Sequence, residues 1–134
     1  MEYKSPDQQL YDSVFAICIG LFGEDKVFDY LPMPEQKAPY PFVYIGESQE
    51  SDKATKDIII GQIAQTIHVY GVQEERSTVT GMVGKILTKL RKLKVTDNFK
   101  VSIMDSKTVK KTIQDTSTSI PLWHGILDVQ FKFN

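Results

Sequence analysis

Few side chains in this chain of 134 residues have the type and spacing that chemistry requires. The sequence contains one cysteine, Cys18, and two histidines, His68 and His124, and these do not match the spacing of zinc ligands. The adjacent acids Glu74 and Glu75 are typical of the lead-in to a helix, and neighbouring loop residues need not converge on one substrate. We therefore predict that the protein is not an enzyme and has no catalytic, cofactor-binding or metal-ligating residue and no cofactor.

Other signatures of enzymes are also missing from the sequence. The glycines are scattered singly, so none of them forms a phosphate-binding loop, and no serine lies in a nucleophile-elbow pattern. Both histidines fall in segments typical of strands, and Cys18 falls on an apolar stripe, which indicates structural roles for all three. An enzyme would need a site assembled from residues without a linear signature.

Composition predicts one globular domain, residues 1–134. The chain is long enough to bury a single core, and 41% hydrophobic and 25% charged residues are ordinary for such a domain. A net charge of −1 provides no field for holding DNA or an anionic membrane. The single cysteine is typical of a reducing compartment, and no signal-peptide pattern or membrane-length apolar run is present. We expect a soluble chain that is made inside the cell and does not bind membranes.

Two segments have the periodicity of helices. The first begins at Ser5-Pro6-Asp7-Gln8, which offers a capping hydroxyl and a proline at the first helical position, and Gly23 is a plausible end. The second begins near Ser77, and its two internal glycines, Gly81 and Gly84, indicate a close neighbour. The apolar faces consist of Leu10, Val14, Ile17, Cys18 and Leu21 in the first helix and of Val79, Val83, Ile86, Leu87 and Leu90 in the second.

The rest of the chain reads mainly as strands. The clearest one ends the chain, with Trp123, Leu127, Val129, Phe131 and Phe133 sharing one face. In residues 105–121, only Val109 and Ile113 are expected to anchor the chain, and Gly61 is expected to mark a bulge or a bend. The predicted strands are 27–30, 40–45, 58–70, 99–104 and 122–133. This order predicts an α+β fold, with a mainly antiparallel sheet and two helices packed on one face.

A polar segment separates two of these strands. The stretch "YIGESQESDKATKDIII" (residues 44–60) predicts a long mobile loop at about 47–57, which is longer than most connections in small domains. Such a loop is typically functional or is ordered only by a partner. In a small-ligand-binding or enzymatic α+β domain, residues 47–56 would be a lid over a pocket. A third hypothesis is a regulatory protein that grips an acidic partner with the basic helix end, which contains Lys85, Lys89, Arg91, Lys92 and Lys94.

The order of these features resembles the tail-completion, or tail-terminator, family of long-tailed bacteriophages, in particular the tail-to-head joining proteins of phages of Gram-positive bacteria. The resemblance covers almost the whole chain and consists of soft patterns without a catalytic signature. Its features are the apolar run of the leading helix (residues 10–22), a Pro-rich approach to "YPFVYIG" (40–46), a polar loop into "QTIHVYG" (65–71), the helix "STVTGMVGKILTKL" (77–90) and the finish "WHGILDVQFKF" (123–133).

The resemblance implies a structural protein of the virion. Family members form a homo-hexameric ring that ends the tail tube and presents a surface to the head connector, and DNA passes through the lumen. We therefore expect the partners to be further copies of this chain, the tail-tube protein and the head connector, with no specific binding to DNA. The chain would be located in the host cytoplasm during assembly, where it would be a monomer when free, and then at the head–tail interface of the virion. The resemblance also implies that Glu47, Glu50, Asp52, Lys53 and Lys56 contact a neighbouring subunit or the connector.

Overall fold

The computed structural model describes residues 4–32, 38–54 and 59–134, and in this part of the chain it contains two helices and six strands. The prediction of an α+β fold is confirmed. No helix in the described part combines the length and apolarity that a bilayer crossing requires. The elements are α1 (Pro6–Phe22), β1 (Val27–Phe28), β2 (Phe42–Ala54), β3 (Ile59–Val72), α2 (Arg76–Leu90), β4 (Val101–Ile103), β5 (Val109–Asp115) and β6 (Leu122–Phe133).

The strands form one sheet in which β6 is central. The order is β1-β2-β3-β6, and β4 and β5 pair one after the other with the far side of β6. The pairs β2–β3, β3–β6, β4–β6 and β5–β6 are antiparallel, and β1–β2 is parallel. The predicted mainly antiparallel sheet is therefore confirmed.

Helix α1 begins and ends where the sequence predicts. The Ser5 hydroxyl accepts a long hydrogen bond from the backbone N–H of Gln8 at 3.4 Å, and Pro6 takes the first helical position, where no N–H is needed. Gly23 ends the helix with a φ of 93°, which glycine adopts without steric cost, and its N–H donates to the carbonyl of Ile19 at 2.8 Å. Local sequence is thus sufficient to define this helix.

The core lies between the two helices and one face of the sheet. Leu10 of α1, Ile86 of α2 and Phe131 of β6 are all fully buried. Cys18 belongs to the same cluster, as its place on the apolar stripe predicted. The three apolar segments therefore converge on a single cluster of buried side chains, and removing a large one of them should cost about 2–5 kcal/mol.

The close approach between helix and sheet occurs at a strand glycine and not at the helix glycines. A Cβ atom added to Gly125 of β6 would lie 2.8 Å from Val79 Cγ1 and 2.9 Å from Val83 Cγ2. A Cβ atom added to Gly81 or Gly84 would meet no atom within 4 Å. The expectation of a close neighbour at those two positions is therefore wrong, because they lie on the side of α2 that faces away from the sheet.

The polar segment is largely strand, so the predicted loop at about 47–57 is wrong for residues 47–54. These residues continue β2 and pair with β3 up to Ala54 opposite Ile59. Backbone pairing with β3 satisfies those of their N–H and C=O groups that point toward β3, and it does not require an apolar side chain at any position. Residues 55–58, which include Lys56, lie outside the described residues, and the mobility of the segment stays a prediction.

Two further expectations about strands differ from the structure. The irregularity in the β2–β3 pair lies between Ile45 and Ser48, whereas pairing at Gly61 is regular on both sides. Val109 and Ile113 belong to β5 and are 55% and 44% exposed, so they do not anchor the chain in the core. They lie on a strand that pairs with β6 alone, and the helices do not cover their side of the sheet.

Candidate assembly surface

The β2–β3 hairpin extends beyond the strand next to it. The last residue of β6 to pair with β3 is Phe133, opposite Gly61, so Ile59 and Ile60 of β3 have no partner in β6. These two residues pair only with the end of β2, at Ala54 and Lys53. A two-stranded ribbon that is not part of a wider sheet is marginally stable in water. Among the described residues, no third strand therefore borders the backbone at this end of the hairpin.

A β-bulge divides β2 into two parts. Gly46 and Glu47 together lie opposite Thr66, and the buried side chain of Gln65 fixes them there. Its amide nitrogen donates to the carbonyls of Gly46 and Glu47, both at 3.1 Å, and of Thr66 at 3.0 Å. The extra residue reverses which side chains face the helices. Odd-numbered residues face the helices before the bulge, and even-numbered residues, such as Glu50, do so after it.

Glu50 connects the hairpin to the first turn of α1. Its carboxylate oxygen Oε1 accepts a hydrogen bond from the backbone N–H of Asp7 at 2.9 Å. A carboxylate is favourable at a helix N-terminus because it satisfies a free N–H and opposes the positive end of the helix dipole. Glu50 therefore has a role within the chain that the sequence did not reveal, since the two residues are 43 positions apart.

The five predicted contact residues do not form one cluster in the structure. Glu47 is at the bulge and its side chain is 77% exposed, whereas Glu50 is bound to α1. Asp52 and Lys53 pair through their backbone with Gly61 and Ile60 of β3. Lys56 is outside the described residues. What four of them share is their position on β2, along the stretch that follows its pairing with β1.

A pair of histidines lies on the face of the sheet opposite the helices. His68 of β3 and His124 of β6 are joined by a hydrogen bond of 2.8 Å between Nδ1 and Nε2. Tyr70 stacks on His124 with ring centroids 4.2 Å apart, and Tyr44 stacks on His68 at 5.4 Å. Glu47 Oε1 lies 3.5 Å from the remaining nitrogen of His68. Both histidines lie on predicted strands, but the sequence contains no signal that β3 and β6 are neighbours.

The hydrogen bond between the two rings restricts where their protons lie. A hydrogen bond between two ring nitrogens needs one N–H and one lone pair, and two charged rings would present N–H groups to each other. Burial, the charge of His68 and the charge of Lys111 lower the pKa of His124 to about 4, while Asp115 acts in the opposite direction. Hydrogen bonds from the Ser117 hydroxyl and N–H in turn lower the pKa of Asp115.

Two groups beside the histidine pair have shifted pKa values. A backbone hydrogen bond and the His68 ring lower the pKa of Glu47, although burial partly offsets this, so its carboxylate is ionised and accepts hydrogen bonds. Burial raises the pKa of Tyr70 to about 12, which keeps its hydroxyl protonated. Among the described residues, no three of the His, Cys, Asp and Glu side chains are grouped as metal ligands. What the histidine pair does is join β3 to β6 through their side chains.

The basic end of α2 and a nearby cleft are two further charged surfaces of the molecule. Arg91 forms an exposed ion pair with Asp105 at 3.0 Å, and such pairs contribute about 0–1 kcal/mol. An open cleft of about 850 Å³ lies between the hairpin and the end of the sheet, and Lys94, Lys100 and Lys132 are among its lining residues. The cleft is thus bordered by positive charge and by polar groups such as Ser51.

Comparison with known proteins gives one informative result. No family model matches the sequence, and no curated protein matches it either. Among solved structures, the fold is similar to that of a chain in the virion of a native gene transfer agent (GTA) particle, with a TM-score of 0.61. The match covers 92% of this chain and 93% of that chain at 13% sequence identity. At this identity, the similarity shows a shared fold.

Proposed function

We propose that this chain is a structural protein of a phage-like virion, and that it forms a homo-hexameric ring which ends the tail tube and joins it to the head connector. The observation that carries the proposal is the fold match to a virion chain, which extends over nearly the full length of both chains. A match of this extent covers most of the fold and not one local motif. The sequence resemblance to tail-completion proteins supports the same role.

The β2–β3 hairpin supports a role in assembly. Its end has no neighbouring strand in the described part of the chain, and a two-stranded ribbon becomes more stable when a third strand or a helix covers it. We assign contact with a neighbouring subunit or the connector to Glu47, Glu50, Asp52, Lys53 and Lys56. Glu47 and Glu50 would do this in addition to their contacts with His68 and α1.

The charge of the chain is compatible with a channel through which DNA moves. A protein that holds DNA places many Lys and Arg side chains against phosphates, and each such contact adds to affinity. Here 16 basic residues are balanced by 17 acidic ones, which gives a net charge of −1. Six such subunits around a lumen would let DNA pass without specific binding. The remaining partners are the tail-tube protein and the head connector.

The test is complementation of a phage that lacks the gene. Electron microscopy should show separate heads and unjoined tails in the mutant, and tail tubes of irregular length, because nothing ends their growth. Supplying the chain should restore joined particles that contain it at the head–tail interface. Particles that are complete and infectious without the chain would refute the proposal.

A second candidate function is the binding of a small anionic ligand in the lysine-lined cleft. Lys94, Lys100 and Lys132 there could neutralise carboxylate or phosphate groups. The lid that this hypothesis assigned to residues 47–56 is not a loop at 47–54, because those residues belong to β2. Titration calorimetry of the purified chain with inorganic phosphate and with citrate tests this candidate. Binding that Lys100→Ala abolishes would support it, and the absence of binding would exclude these anions.

A further inference from the structure

Strand β5 has a free edge along its whole length. It pairs with β6 on one side, in regular register from Val109 to Asp115, and no strand in the described part of the chain lies on its other side. Two large apolar side chains on this strand, Val109 and Ile113, are 55% and 44% exposed. An edge strand with unpaired N–H and C=O groups is a template for a strand of another chain. Neither a proline nor a bulge blocks it here.

The opposite end of the sheet has a second free edge. Strand β1 covers β2 only at Val43 and Tyr44, so the outer side of residues 45–54 has no strand partner among the described residues. This stretch includes the exposed side chains of Glu47, Gln49 and Ser51. The sheet is therefore open at both edges, at β5 and at the second half of β2.

The directions of the strands allow these two edges to meet. Counting across the sheet, β2, β3, β6 and β5 alternate in direction, because each pair is antiparallel. With four alternating strands, the first and the last run in opposite directions. A second copy in the same orientation therefore has its β2 antiparallel to β5, and a shift along the strands brings its residues 47–54, rather than the stretch covered by β1, level with β5. Antiparallel pairs are slightly more stable per residue than parallel ones.

The charges of the two edges select this pairing. Residues 47–54 of β2 carry three acids and one lysine, for a net charge of −2, and β5 carries Lys110, Lys111 and Asp115, for a net charge of +1. Two β5 edges would therefore repel each other, as would two β2 edges, whereas β5 and β2 attract. The pairs of the sheet also place Lys110 and Glu50 on the helix side and Lys111 and Gln49 on the other side.

We propose that copies of this chain associate head to tail by strand pairing, with β5 of one copy antiparallel to residues 47–54 of β2 in the next. This contact uses two different surfaces, so it repeats from copy to copy, and it forms a ring when the rotation between copies closes. It also covers Val109 and Ile113 and adds a strand to the projecting hairpin. The inference specifies the subunit contact of the ring proposed above, and so it rests on that proposed function.

Cysteine crosslinking of the full chain tests the pairing. Gln49→Cys and Lys111→Cys in one chain place both thiols on the same side of a continuous sheet, where Cβ atoms of facing residues are about 4.5–5.5 Å apart. Oxidation should give a ladder of covalent multimers. The native Cys18 is fully buried and does not contribute. The matched control, Gln49→Cys with Lys110→Cys, points the two thiols to opposite sides and should give no ladder.

The experiment uses concentrated purified protein and particles from the complemented phage. A ladder from the matched pair, absent in each single variant and in the control, supports the pairing. Covalent dimers from Lys111→Cys alone would mean that two β5 edges meet, and this would overturn it. Joined particles without any ladder would also overturn it while leaving the proposed function intact. If purified protein gives the ladder but joined particles form without this chain, the pairing stands and only the proposed function is refuted.

Discussion

The histidine pair predicts a specific dependence of stability on pH. The folded-state pKa of His124 is about 4, against an ordinary value of 6.5, so the unfolded chain takes up the proton first as the pH falls. The contribution of the neutral His124 ring to the free energy of unfolding is therefore complete above pH 6.5. It is lost progressively as the pH falls toward about 4. At about pH 5 the full shift would correspond to about 2 kcal/mol, and we expect roughly 1 kcal/mol because solvent screens a half-buried ring.

The assay is urea unfolding of the parent and of His124→Gln at about pH 7.5 and about pH 5. Glutamine cannot titrate but retains a group that can hydrogen-bond to His68, so the parent should lose roughly 1 kcal/mol more than the variant over this interval. Glu47 and Asp115 are present in both proteins, and the effect of their lowered pKa values therefore largely cancels in the comparison. Equal losses in both proteins would refute the reasoning. The His124→Gln variant should also complement the phage. A variant that folds and assembles but does not complement would show that the His124 side chain has a chemical role.

Two further predictions test the core and the hairpin. Gly125→Ala should reduce the free energy of unfolding by about 1–3 kcal/mol, because the added methyl group overlaps with α2. Gly81→Ala, where the added methyl group meets no neighbour within 4 Å, should raise it by about 0.5–1 kcal/mol. Equal effects of the two changes in urea unfolding would contradict the packing. The triple reversal Asp52→Lys, Lys53→Glu and Lys56→Glu should leave the melting temperature of the free chain nearly unchanged if these side chains are solvated, as the sequence predicts, but should impair joining of tails to heads. Full complementation by the triple variant would remove the hairpin from the contact.

The helices and the last strand could be read from the sequence because their signals are local. Ser5 and Pro6 begin α1 and Gly23 ends it through contacts within a few residues, and these positions are found as predicted. The alternation from Trp123 to Phe133 likewise defines the buried face of β6, since a strand with one covered face repeats every two residues. The α+β class follows from the order of such elements.

Features that depend on the pairing of distant strands were decided only by the tertiary structure. Residues 47–54 are polar on both sides, so no periodicity reveals them as a strand, and it is backbone pairing with β3 that places them in the sheet. Gly125 is required because α2 packs directly on it, and the two lie far apart along the chain. His68 and His124 meet only because β6 inserts beside β3. Local sequence determines which segments can form a helix or a strand. The packing of the whole sheet sets which strands are neighbours, and the contacts between distant residues depend on those neighbours.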